Sequence, residues 1–220
     1  MSQIAFYILS DVHGFIFPTD FSSREKDLPM GLLKANHLIE QDCVHYDGSV
    51  KIDNGDFLQG SPLCNYLVSK LKSSLPLTSI YNRLGFDFGT VGNHEFNYDL
   101  PYLKQAINQL HYPVLCANII ENAQPFTGQG IHYFKVNGLT IGTIGLTTQY
   151  IPHWEQPDYI KTLNFNSAVH TLKSELPTLR EKSDIVVVSY HGGFERDLDS
   201  GLPTEAVSYT HLTLPTKRIV

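Results

Sequence analysis

One pattern constrains the fold of this chain more than any other: an apolar run of strand length that ends in a polar turn. The pattern occurs four times, and the turns are Ser10-Asp11-Val12-His13-Gly14, Asp53-Asn54-Gly55-Asp56, Gly92-Asn93-His94-Glu95 and His191-Gly192-Gly193. Continuous apolar runs are typical of strands that are covered on both faces. Open α/β sheets place their ligands at the carboxyl ends of such strands. The pattern therefore predicts buried strands that share one polar edge.

The segments between these runs predict an α/β fold of two packed sheets with helices outside. Helical spacing of apolar residues predicts helices over 30–41, 62–71, 77–84, 100–110 and 168–180. Asn137-Gly138, between apolar runs at 132–136 and 139–146, predicts a β-hairpin. A further strand is expected at 113–118, a loop at 121–130, and an irregular connection over 147–158 that is able to line a site.

Composition excludes several classes of partner. The 220 residues carry a formal net charge of −6, which argues against a nucleic-acid polymer or an anionic membrane as the main partner. Three cysteines without Cys-x-x-Cys spacing predict reduced thiols and not a disulfide framework. No apolar run approaches the roughly 18–20 residues that span a bilayer, and the first apolar run is too short for a secretory signal. A cytoplasmic location is expected.

The four polar turns supply oxygen and imidazole donors without a thiolate. Such donors suit Mn, Fe, Zn or a similar divalent ion better than a structural zinc site. Asp56 is the natural bridge between two ions, since its turn holds no second ligand, and a two-metal centre clamps both oxygens of a displacement at phosphorus. His94 can then protonate the leaving oxygen or stabilise phosphoryl charge. Each turn taken alone also fits a helix cap or a simple turn residue.

As an ordered set, the motifs resemble those of the calcineurin-like metallophosphoesterases. The matching segments are Asp11-Val12-His13, Gly55-Asp56, Gly92-Asn93-His94-Glu95 and Val188-Ser189-Tyr190-His191-Gly192. Segments 53–62 and 92–98 are similar to the nucleotidase branch, which comprises 5′-nucleotidases and 2′,3′-cyclic-nucleotide 2′-phosphodiesterase/3′-nucleotidases. Asn97-Tyr98 is closer to the cyclic-phosphodiesterase pattern, because 5′-nucleotidases often carry Asp at the position of Asn97.

The resemblance implies a fold, a metal centre and a substrate class. The implied fold is a sandwich of two mixed β-sheets flanked by helices. Asp11, His13 and Asp56 are implied ligands of one divalent ion, and Asp56, Asn93 and His191 of the other. His94 is the implied catalytic histidine, and a nucleotide is the implied substrate.

The family pattern is incomplete in this sequence. The family closes its metal site with a later Gly-His-x-His turn, and its nucleotidase branch adds a C-terminal nucleoside-binding domain; this sequence shows neither. We expect a truncated metallophosphoesterase domain over 1–206 and a non-native tail over 207–220, with weak or no activity from the chain as it stands. The alternatives are a non-catalytic binding or scaffold domain, or a hydrolase of another phosphoester such as a nucleotide sugar.

Overall fold

The computed structural model describes residues 3–20, 22, 27–193 and 200–202. The predicted domain end at residue 206 and the predicted tail at 207–220 lie outside the described residues. The strands are β1 (Ile4–Leu9), β2 (Gly48–Asp53), β3 (Phe88–Thr90), β4 (Val114–Leu115), β5 (Ile119–Glu121), β6 (Gln124–Pro125), β7 (Ile131–Val136), β8 (Leu139–Thr147), β9 (Asn164–Phe165) and β10 (Ile185–His191). The α-helices are α1 (Leu32–Asp42), α2 (Pro62–Tyr66), α3 (Leu75–Tyr81), α4 (Leu100–Gln109), α5 (Pro157–Ile160) and α6 (Ala168–Lys182).

The first sheet is parallel and has the strand order β1-β2-β3-β4. Its apolar runs explain its position, since residues such as Val50, Ile52 and Phe88 are completely or almost completely buried. Parallel strands run in one direction, so the carboxyl ends of β1, β2 and β3 lie at one edge. Among the described residues, all pairs in this sheet are parallel, which brings the turns that follow its strands to one edge.

The second sheet is mixed and has the order β10-β8-β7. Strands β10 and β8 run parallel, whereas β7 and β8 form the predicted antiparallel hairpin. Asn137 and Gly138 occupy its two-residue turn with φ of 47° and 82°. Positive φ at both central residues is the geometry that favours an Asn-Gly pair in such hairpins.

The two sheets pack face to face, and helices cover their outer faces. Val50, Ile52, Phe88 and Leu115 of the first sheet form the core between the sheets, and Phe134, Val136 and Val187 of the second sheet pack against them. Helix α6 packs on the outer face of the second sheet through Ala168, Leu172 and Leu179. The prediction of two packed sheets with helices outside is confirmed.

Two local predictions were wrong. Residues 121–130 were expected to form a loop, but β6 pairs with β5 and β5 pairs with β9 in a small third sheet. The turn between β5 and β6 is Asn122-Ala123, with φ of 50° and 63°. Ala at a left-handed position is not a recognised turn signal, so the sequence did not reveal this hairpin. The strand expected over 113–118 shortens to β4.

Two other expectations concern thiols and membrane spans. Cys43, Cys64 and Cys116 are free thiols, as predicted. Among the described residues, the structure has no helix with the length and apolar character that crossing a bilayer requires.

Candidate metal centre

The predicted site residues meet where the ends of β1, β2, β3 and β10 converge. Nε2 of His191 lies 3.2 Å from Oδ2 of Asp56 and 3.2 Å from Oδ1 of Asn93. Nε2 of His13 lies 3.9 Å from Oδ1 of Asp11 and 3.9 Å from Oδ2 of Asp56. The structure therefore brings together all five residues predicted as ligands, although they are distributed over most of the sequence.

Asp56 belongs to two donor groups at once. One group contains Asp11, Asp56 and His191, the other contains His13, Asp56 and His94, and within each group the ligand atoms lie within 4.8 Å of one another. The central position of Asp56 agrees with its predicted role as a bridge. The partners are grouped differently from the resemblance, which pairs His13 with Asp11 and leaves His94 outside the ligand set. The assignment of ligands to ions therefore stays a prediction.

The histidines at this edge fit a divalent ion. Nδ1 of His13 lies 2.8 Å from the carbonyl oxygen of Gln59, and Nδ1 of His191 lies 2.6 Å from that of Asn54. A carbonyl oxygen only accepts, so each Nδ1 is the protonated nitrogen that donates. Nε2 of each ring faces Asp56, and it can bind a metal ion once it carries no proton. Metal-binding histidines are held in this way, with the second ring nitrogen donating to a backbone carbonyl or a carboxylate.

Three predicted ligands lie on unusual backbone. Asp11, His13 and Asp56 have φ of 57°, 50° and 61°, in the left-handed region that residues other than glycine rarely adopt. Backbone hydrogen bonds hold these conformations: the amide of Asp11 donates to the carbonyl of Gly55 at 3.0 Å, and that of His13 to the carbonyl of Asp56 at 2.8 Å. Left-handed residues of this kind cluster at functional sites, where the surrounding structure maintains the strain.

Glycines allow the turns after β2 and β3 to pack against each other. A Cβ on Gly92 would overlap Oδ1 of Asp56, and a Cβ on Gly55 would overlap the amide nitrogen of Gly92. Gly92 has no positive φ, so glycine is required there by the close approach of the Asp56 side chain and not by the backbone conformation.

Glu95 does not face the metal centre. It belongs to the polar turn Gly92-Asn93-His94-Glu95, but its side chain is fully buried. Its carboxylate accepts four backbone N–H bonds, from Asp56 (2.7 Å), Phe57 (2.7 Å), Leu58 (3.1 Å) and Gly92 (2.6 Å). Glu95 is the anchor of the two turns that carry Asp56 and Asn93.

Asn54 connects the two sheets. Its Oδ1 accepts from the hydroxyl of Ser189 at 2.7 Å, and its Nδ2 donates to the carbonyl oxygen of Tyr190 at 3.3 Å. Its own carbonyl oxygen accepts from His191. Asp53 fixes the same turn by accepting from the amide of Gly55 at 3.3 Å, whereas Asn54 also determines where His191 lies.

Charge and burial shift the pKa values of the central groups. Burial lowers the pKa of His191, but the hydrogen bond and negative charge of Asp56 outweigh burial and raise that pKa to about 9. Burial acts to raise the pKa of Asp56, yet its hydrogen bonds and the charge of His191 leave it below the ordinary value. The carboxyl group of Asp56 is thus kept ionised, which is the form that binds a metal ion.

An open polar cavity of about 260 Å³ lies over Asp11, Asn93 and His191. Thr148 and Trp154 also line it, which confirms that the connection over 147–158 contributes to the site. Trp154 is 43% exposed. The cavity is therefore open to solvent above three of the predicted ligands.

Comparisons with known proteins agree with this geometry. The family of calcineurin-like phosphoesterases matches residues 4–213. A 2′,3′-cyclic-nucleotide 2′-phosphodiesterase/3′-nucleotidase of Haemophilus influenzae is 32% identical over 198 residues, which cover 84% of this chain and 30% of the relative. Its counterpart from Salmonella typhimurium is 33% identical and is covered to 33%. The chain thus spans about a third of the length of these curated relatives.

A solved structure supports the same assignment. A Staphylococcus aureus protein, provisionally named a 5′-nucleotidase and solved with alpha-ketoglutarate, superposes with a TM-score of 0.87 at 62% identity. The match covers 93% of this chain and 40% of that protein. Because the family match extends over most of the sequence, this chain belongs to the calcineurin-like phosphoesterases.

Proposed function

We propose that this chain forms the phosphoesterase domain of a nucleotide hydrolase, either a 2′,3′-cyclic phosphodiesterase/3′-nucleotidase or a 5′-nucleotidase. The observation that carries the proposal is the sharing of Asp56 between two donor groups. Two sites with a common carboxylate are the arrangement used for in-line displacement at phosphorus. The names of the relatives support a nucleotide as the substrate class.

The donors of this edge divide the work of the reaction. Two divalent ions, such as Mn, Zn or Fe, would be held by Asp11, His13, Asp56, Asn93 and His191. When bound, they would supply Lewis-acid chemistry for the activation of water and the neutralisation of charge on the phosphoryl group. His94 donates a proton to the leaving oxygen. The buried anchor Glu95 keeps the turns of Asp56 and Asn93 in register with each other.

The test uses the protein as its gene encodes it. Sequencing the source gene across and beyond the codons for residues 205–220 gives the natural reading frame. The encoded protein, loaded with Mn²⁺, is then assayed with 2′,3′-cyclic AMP, 3′-AMP, 5′-AMP and a nucleotide sugar. We expect release of phosphate or opening of the cyclic ester with at least one nucleotide, and loss of that activity in Asp56→Asn.

Two outcomes would overturn the proposal. A protein of natural length that binds Mn²⁺ but hydrolyses no phosphoester is a binding or scaffold domain. Hydrolysis confined to the nucleotide sugar would leave the metal chemistry intact but would replace the substrate class.

A further inference from the structure

The side chain of His94 is connected to a carboxylate by way of an amide. Nδ1 of His94 lies 2.6 Å from Oδ1 of Asn97. Nδ2 of Asn97 donates in turn to Oε1 of Glu155. Glu155 follows Trp154 in the connection that lines the cavity, 58 residues away from Asn97 in sequence.

The chemistry of these groups determines the direction of every hydrogen bond. A carboxylate accepts, so Glu155 requires the amide nitrogen of Asn97 to face it. The amide oxygen of Asn97 must then face His94, and Nδ1 of His94 must be the protonated nitrogen that donates to it. The three residues thus select one tautomer of His94, in which Nε2 is the nitrogen left for the substrate.

The backbone around both ends of this chain of bonds is fixed. The amide of His94 donates to Oδ1 of Asp56 at 2.9 Å, which ties the histidine to the candidate bridge. The amide of Glu155 donates to the carbonyl oxygen of Ile151 at 3.0 Å, and Ile151 is completely buried. The carboxylate is therefore presented to Asn97 from an anchored segment.

We propose that Glu155 is a positioning residue, which acts through Asn97 to hold His94 with Nε2 toward the leaving oxygen of the substrate. The catalytic part of this inference rests on the proposed function, in which the imidazolium of His94 gives the proton on Nε2 to that oxygen and is left as the neutral Nδ1–H tautomer. The tautomer part concerns the protein alone.

The hydrogen bond between Asn97 and Glu155 can be tested with a single variant that breaks it and a double variant that restores it. Asn97→Asp places two carboxylates in contact, so their repulsion breaks the contact with Glu155 that orients residue 97 toward His94. Combining Asn97→Asp with Glu155→Gln restores a donor opposite the new acceptor, since the amide of glutamine can donate to aspartate. The single substitution should therefore be more damaging than the double one, which a merely space-filling role does not predict.

The first measurement is the tautomer of His94 by ¹⁵N NMR of the imidazole nitrogens in mildly alkaline buffer. The His94 signals are assigned by their loss in His94→Asn. We expect the Nδ1–H form in the wild type, a mixture of tautomers in Glu155→Leu, and recovery of the Nδ1–H form in Glu155→Gln, whose carbonyl can still accept from Asn97. An Nδ1–H form that persists unchanged in Glu155→Leu would overturn the positioning role.

The second measurement compares two leaving groups in the Mn²⁺-loaded protein. The alkoxide that leaves from a nucleotide must be protonated, whereas the nitrophenolate that leaves from a nitrophenyl ester needs little assistance from an acid. Loss of a general acid lowers rates by roughly 10²–10⁴-fold. Because Glu155→Leu keeps His94 and only loosens its position, we expect a smaller loss of roughly 10-fold in kcat on the nucleotide, with little change on the nitrophenyl ester. Equal losses on both substrates would show a structural defect and would overturn the inference.

Controls separate the two proposals. Glu181→Gln, an exposed glutamate in α6, should match the wild type in both measurements. Absence of hydrolysis in the wild type would overturn the proposed function, while the NMR result would still decide whether Glu155 positions His94. Hydrolysis with unaltered leaving-group dependence in Glu155→Leu would overturn the inference alone.

Discussion

The two sheets contribute to the metal centre in different ways. Of the five candidate ligands, four follow strands of the first sheet, and His191 ends β10 of the second. The first-sheet side is held from within, by left-handed backbone and by the four N–H bonds to Glu95. The second-sheet side is held from outside, because Asn54 of the first sheet bonds to Ser189, Tyr190 and His191.

This difference indicates which side of the metal centre is formed before a metal ion binds. The turns of the first sheet are determined by contacts between neighbours in one layer, whereas His191 is positioned by contacts across the sandwich. Substitutions on the first side should therefore affect folding as well as metal binding. Substitutions at the contacts between the sheets should weaken metal binding on the His191 side and should change stability little.

The largest effect is expected from Asp56→Asn, which removes the carboxylate that both sides share. Even partners outside the ligand set reduce metal affinity by about 10–100-fold when they are lost, so a shared ligand should exceed roughly 10²-fold. Titration calorimetry with Mn²⁺ measures the change. Asp158→Asn, an exposed aspartate in α5, is the control. Equal affinity in Asp56→Asn and wild type would remove Asp56 from the centre.

The ligands could be predicted because each follows an apolar run, and a parallel sheet brings such positions to one edge. Side chains that act from a distance could not be predicted. Nothing in the sequence around Glu95 distinguishes a side chain that points into the core from one that points to the cavity. The bond between Asn97 and Glu155 joins separate loops, and no local spacing encodes it.

The second prediction concerns stability on the first-sheet side. Glu95→Gln replaces one acceptor oxygen with an NH₂ group that faces backbone donors, so buried N–H groups lose their partners. Loss of a buried, charged hydrogen-bond network destabilises by about 3–5 kcal/mol. Denaturant unfolding of the metal-free protein tests this, with Glu181→Gln as the control. A change below about 1 kcal/mol would mean that Glu95 does not brace the turns.

The third prediction is a pH dependence from Asp53, which lies beneath the same turns. Burial raises its pKa from 3.8 to about 7, although the hydroxyl of Tyr112, which donates at 2.7 Å, opposes the shift. A raised carboxyl pKa means that the folded state binds the proton more tightly. The resulting stability is present below about pH 4 and is lost as pH rises through about 7, by up to about 4 kcal/mol.

Asp53→Asn should remove this dependence. Comparison of thermal unfolding in EDTA from about pH 4 to 8 should show wild-type stability falling relative to the variant. A difference between the two proteins that stays constant with pH would show that Asp53 has an ordinary pKa.

The smallest effect on stability is expected from Asn54→Ala, which cuts the bonds to Ser189 and Tyr190 and a long one to the hydroxyl of Ser10 at 3.4 Å, but keeps the backbone carbonyl that accepts from His191. Loss of these neutral hydrogen bonds corresponds to about 1–2 kcal/mol. Looser support of a ligand should weaken Mn²⁺ binding by roughly 10-fold, whereas Asn65→Ala, at an exposed position of α2, should leave it unchanged.

The double variant Asn54→Ala/His191→Ala tests most directly whether the two sides of the centre are held separately. If Asn54 acts on the centre through the second sheet alone, its loss should not weaken Mn²⁺ binding further once His191 is absent, because the two substitutions then share one pathway. Additive losses would show that Asn54 also supports Asp56 directly. In that case the two sides of the centre are braced by one network, and the division between a preformed side and a crossing side does not hold.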